Sequence, residues 1–137
     1  SKVPFMAKSV PGSGLFAVNK AGRERWGEFP NIISDDMFAR LQFKPRERYG
    51  VPGTYIWPVA EGWRNLIKVR RRQNKGVDQI AERYPHLLKH EDKGAFSKGQ
   101  MVLLAMSYPF SFFVYASVAI IVKLTKDPSQ TEWSRGR

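Results

Sequence analysis

The chain holds 137 residues, and its 23 Lys and Arg against 12 Asp and Glu give a formal charge of +11 at pH 7, with no cysteine. That length accommodates one domain at most, and the lack of Cys excludes a disulfide framework, a thiolate metal site and a cysteine nucleophile. A chain that is 42% hydrophobic and 13% aromatic is too apolar for a disordered basic tail, and its apolar residues are unevenly spread.

Residues 1–10 carry no strong period. The turn Pro11-Gly12-Ser13-Gly14 leads into Leu15, Phe16, Ala17 and Val18, a short apolar run that predicts a buried strand. Lys20–Trp26 predicts a short helix limited by Gly22, Gly27 and Pro30. Ser34 then precedes Asp35-Asp36-Met37-Phe38-Ala39-Arg40-Leu41, where a capping hydroxyl and two first-turn carboxylates complement the positive end of a helix. Met37, Phe38 and Leu41 form its apolar face. Val51-Pro52-Gly53 is a turn signal, and Thr54–Trp57 predicts a strand ending at Pro58.

From Trp63 to about Arg83 apolar residues recur at mostly helical spacing, with Gly76 weakening the middle. Residues 84–100 read as a connector at a bilayer surface, where apolar side chains dip in and lysines meet anionic head groups. Met101–Val122 carries no charged residue and is long enough, at about 1.5 Å per residue, to cross a hydrocarbon core of roughly 30 Å; the alternatives are a buried core helix or a segment lying in the interface. Within it, Pro109 is expected to kink a membrane helix rather than end it. A basic tail follows over 123–137, and basic residues on both flanks leave orientation weakly specified.

Two constellations bear on chemistry. Asp35 and Asp36 diverge by about 100° on a helix, so one can face a cleft as a general base toward a hydroxyl while the other braces; the same spacing serves capping alone. The run Arg70-Arg71-Arg72-Gln73-Asn74-Lys75, preceded by Lys68, suits a pyrophosphate or other polyanion, an anionic lipid surface or a solvated face. Gly12-Ser13-Gly14 lacks the lysine of a phosphate-binding loop; His86 and His90, the only imidazoles and four apart, offer a metal pair with Glu91 or Asp92 beside them, against which stand Pro85 and the lack of other ligands.

The order of these segments, GSGLFAVNK, GEFPNIISDDMFARLQF, TYIWPV, LIKVRRRQNKG and a membrane helix, resembles the C-terminal half of the catalytic domain of processive-type family 2 glycosyltransferases, which include cellulose and hyaluronan synthases. It covers about residues 10–122. Ser34-Asp35-Asp36-Met37-Phe38-Ala39-Arg40-Leu41 is similar to the family's Thr-Glu-Asp-x-x-Leu-x-x-Arg-Leu, with Asp36 on the base and Asp35 on the glutamate. Val69–Gly76 is similar to Gln-Arg-x-Arg-Trp and a following glycine, with Arg70, Arg72 and Gly76 matching and Val69 and Gln73 replacing the glutamine and tryptophan.

The resemblance implies an α/β fold, the C-terminal portion of a GT-A-like transferase domain over 1–83, then the connector and a transmembrane helix. It implies an inverting enzyme in which Asp36 takes the proton of a hydroxyl acceptor, Arg70 and Arg72 stabilise the diphosphate of a nucleotide-sugar donor, and Gly12, Gly14, Arg40 and Gln73 position the acceptor. A divalent metal, Mg or Mn, is expected for the complete enzyme with its ligands outside this chain, because a missing N-terminal half would carry them. The chain is then an integral membrane protein with its catalytic part cytoplasmic, touching membrane lipid and not nucleic acid. The competing expectation is a small membrane-anchored basic adaptor whose Arg70–Lys75 patch binds anionic lipid or nucleic acid.

Overall fold

A computed structural model describes residues 10, 15–53, 56, 60–92 and 97–125. They are mostly helical: α1 (Lys20–Arg23), α2 (Asp35–Leu41), α3 (Trp63–Arg83), α4 (Lys98–Ser107) and α5 (Pro109–Leu124), with 3-10 turns at Pro45–Glu47 and Pro85–His90. Among the described residues there is no strand and no sheet, which overturns the α/β, GT-A-like expectation. Leu15–Val18 is not a buried strand, since Leu15 is 79% exposed and a strand needs a paired neighbour for its backbone groups. Of the second expected strand only Ile56 is described, exposed and in no element; Thr54, Tyr55 and Trp57 lie outside the described residues.

The chain divides into two units, one of residues 1–58 with 75–94 and the other of 59–74 with 95–137, so that α3 contributes its first half to the second unit and the rest to the first. In the first unit, Asn19 accepts the Gly22 N–H at 2.8 Å and caps α1, which delivers Trp26 to the core. The face expected of α2 is the one it buries: Phe38 and Leu41 join Trp26, Ala39, Ile80 and Leu87, with Met37, Phe43 and Tyr84 packed around them. Full burial of Leu41 and Ile80 is worth about 1.5–3 kcal/mol for each side chain. Rings meet edge to face, Phe38 on Tyr84 at 5.0 Å between centroids and Trp26 on Phe43 at 6.1 Å.

Ser34 does not cap α2 through its side chain. It packs instead on Gly76 of α3, where an added Cβ would collide with the Ser34 hydroxyl and lie 3.0 Å from its Cβ. Beside this contact the Ile33 N–H donates to Gln79 Oε1 at 2.9 Å. Gly76 is therefore the point where two segments approach closely. The segment expected as a surface connector contributes Leu87, buried at 5% exposure, to this core.

In the second unit, Gly62 takes a φ of +77° immediately before α3, a left-handed conformation that favours glycine. Ser97 and Gln100 cap α4 reciprocally, at 3.2 Å and 3.0 Å. The apolar run then breaks where only a kink was expected. Tyr108 precedes a proline, which disfavours helical backbone there, and it sits at φ −139°, ψ 64°. Pro109 has no N–H to continue the ladder but suits the first position of α5. The two helices bend by 120° at this point, and among the described residues no single helix is long and apolar enough to cross a membrane; the bent pair passes that test only together.

Candidate functional site

Asp35 and Asp36 begin α2, and both carboxylates turn back onto the chain: Asp35 Oδ1 accepts the Asp36 N–H at 2.9 Å, and Asp36 Oδ1 accepts the Met37 N–H at 2.7 Å. These bonds satisfy N–H groups that a helix start leaves open. Two open concavities on the first unit, lined by Lys44, Pro45, Arg46, Lys89 and His90 and by Asn19, Phe43, Tyr49 and neighbours, include neither aspartate.

Arg40, proposed from sequence to position an acceptor, is 7% exposed and committed within the first unit. Its guanidinium donates to Glu91 Oε1 and Oε2 at 2.7 Å and 2.6 Å and to Asp92 Oδ1 at 2.8 Å. Arg48 reaches the same Asp92 oxygen at 2.9 Å and donates to the Phe43 and His90 carbonyls, both at 2.6 Å. Burial pushes the Arg48 pKa down, as does the Arg40 charge beside it, and Asp92 opposes both. The cluster ties α2 and the segment after it to the 3-10 turn Pro85–His90, and His90 Nδ1 lies 2.7 Å from the Leu41 carbonyl oxygen.

A second pair joins α1's C-terminal side to the turn at Pro45. Arg25 meets both Glu47 oxygens, at 2.5 Å and 3.2 Å, and the Lys44 N–H donates to Glu47 at 2.7 Å. The Arg25 hydrogen bond, then the Lys44 N–H, hold the Glu47 carboxyl down at about 2. Sequence reasoning missed both clusters, because their partners are up to 52 residues apart.

Arg70, Arg72 and Gln73 lie on the half of α3 that belongs to the second unit, whereas Asp35, Asp36 and Arg40 belong to the first. Gly12 and Gly14 lie outside the described residues. Arg70 places its guanidinium carbon 5.6 Å from the centre of the Tyr115 ring, a cation–π contact to α5. Arg71 donates to the Thr125 carbonyl at 2.7 Å and to its Oγ1 at 2.6 Å, bringing a cation to the negative end of α5. Lys68, Arg72 and Gln73 face solvent.

The same unit exposes many large apolar side chains on α4, α5 and the break: Phe110 at 79%, Met106 at 77% and Leu124 at 77%, with Leu103, Tyr108 and Phe113 among the others. A soluble surface rarely leaves so many large apolar groups together in water. Among the described residues, no group of three His, Cys, Asp or Glu side chains is placed to hold a metal ion. No protein-family model, no curated protein and no solved structure matches the chain.

Proposed function

We propose that the chain is a membrane-attached basic adaptor whose second unit binds an anionic lipid surface. One observation carries this reading: the exposed apolar side chains of α4 and α5 share a unit with the Lys- and Arg-rich half of α3. Apolar groups gain by entering the acyl boundary, and each cation near an anionic leaflet adds about 1 kcal/mol. Arg70 and Arg71 reach α5 directly, which fixes cations beside the apolar surface, while Lys68 and Arg72 remain open to head groups. Removing the two open charges in Lys68→Gln/Arg72→Gln should weaken co-sedimentation with phosphatidylserine vesicles about thirtyfold at low salt. Undiminished binding would remove the electrostatic half of the proposal.

Sugar transfer, the activity implied by the family resemblance, draws on the order of the motifs and would make this chain the acceptor-side half of a longer enzyme. The bonds at Asp35 and Asp36 give each a role at the start of α2, and those at Arg40 give it a role in holding the first unit together. The lipid-binding reading is preferred because the groups it uses are exposed and lie in one unit. Asp36→Asn in a complete enzyme separates the two readings: sugar transfer requires loss of turnover, and the adaptor reading requires unchanged vesicle binding.

A further inference from the structure

We infer that the bent pair α4–α5 lies in the interfacial zone of a single leaflet and does not cross the bilayer, an inference that rests on the membrane-attached reading above. Length comes first. With 10 and 16 residues, the two helices extend only about 15 Å and about 24 Å, against a hydrocarbon core of roughly 30 Å. A bend of 120° turns α5 back against the direction of α4, so the far ends of the pair return toward one side.

The break adds an independent argument. Proline supplies no N–H, α5 has no side-chain cap, and the helix ends leave the Phe110 and Ser111 N–H groups and the carbonyls of residues 105–107 without intrahelical partners. Such groups are tolerated in hydrocarbon only when protein or water satisfies them, whereas the head-group region supplies both water and polar partners. The flanking side chains fit that depth. Tyr108 and Tyr115 are exposed residues of a type enriched at membrane interfaces, and Ser107 and Ser111 bracket the break. Arg70 stacks on Tyr115, Arg71 holds Thr125, and Lys123 is exposed near the end of α5, so cations occupy the level where lipid phosphates and carboxylates lie. Phe110, Phe113, Met106 and Leu103 would then enter the outer acyl region.

The chain has no cysteine, so single Cys substitutions need no prior removal of native thiols. Lys89→Cys and Ser134→Cys, placed on either side of the pair, are to be tested separately in full-length protein added to sealed phosphatidylcholine–phosphatidylserine vesicles. An impermeant maleimide should label both from the side of addition, to within about 10% of the extent reached in detergent. A Ser107→Cys protein carrying a fluorophore should be quenched at least twofold more by lipids bearing a shallow nitroxide than by lipids bearing one near the acyl terminus. Protection of either flanking thiol until detergent is added, or stronger quenching by the deep nitroxide, would overturn the single-leaflet placement while leaving membrane attachment intact. Failure of the labelled proteins and of the wild-type chain to float with vesicles would overturn both.

Discussion

Ser34 and Gly76 are in contact so close that no side chain fits between them: a Cβ on Gly76 would lie 3.0 Å from Ser34 Cβ and 3.3 Å from its backbone nitrogen, with the hydroxyl closer still. This approach lets the start of α2 rest on α3 and brings Phe38 and Ile80 into one core.

Gly76→Ala tests that contact against helix propensity. Alanine in a helix interior is favoured over glycine by about 1 kcal/mol, whereas forced overpacking costs roughly 1–3 kcal/mol. We expect net destabilisation in chemical denaturation. Ser34→Gly added to Gly76→Ala should recover most of the loss; a stabilised single variant would refute the close packing.

The Arg40 cluster predicts a larger effect. Replacing Arg40 by Leu removes the guanidinium that Glu91 and Asp92 share, which should cost roughly 3 kcal/mol in unfolding free energy. Arg40→Lys should recover little, because an ammonium cannot reproduce the fork that meets both Glu91 oxygens and Asp92. A full rescue by lysine would show that charge alone suffices.

The Glu47 carboxyl should titrate at about 2 in the folded protein, below the ordinary carboxylate value of about 4.3 expected on unfolding. Because the folded value is depressed, the stability it contributes is complete above the unfolded value and is lost as pH falls toward 2. Carbon-detected NMR of the side chain measures this directly. Arg25→Ala should move the titration up toward the ordinary range, since the Arg25 hydrogen bond is the largest cause of the shift, while the Lys44 N–H continues to hold it down.

What the sequence made legible followed local chemistry. The spacing of Met37, Phe38 and Leu41 after two first-turn carboxylates identified α2 and its buried face, and the proline-free span from Trp63 to Arg83 identified α3. Gly22 and Gly76 looked like weak points in helices because propensity records only the lost side chain. In the fold they are the positions where a Cβ would meet the Phe43 ring and Ser34. The strand expected at Leu15–Val18 failed because a short apolar run carries no periodicity of its own and finds no paired neighbour among the described residues. Arg40 was assigned to a site from its place in a motif, and its partners Glu91 and Asp92 were invisible because folding alone brings them within reach. Pro109 was weighed as a kink, yet its effect on Tyr108 together with its missing N–H ends α4.

Attachment to anionic bilayers through the second unit is most directly tested by flotation of the full chain with phosphatidylcholine vesicles containing or lacking phosphatidylserine, comparing wild type with Phe110→Asp/Phe113→Asp. The account predicts that wild type floats with the anionic vesicles, that added salt or omission of phosphatidylserine weakens this, and that the double variant stays at the bottom of the gradient while retaining its helical circular-dichroism spectrum. Equal flotation of the folded double variant, or no flotation of wild type with anionic vesicles, would contradict it.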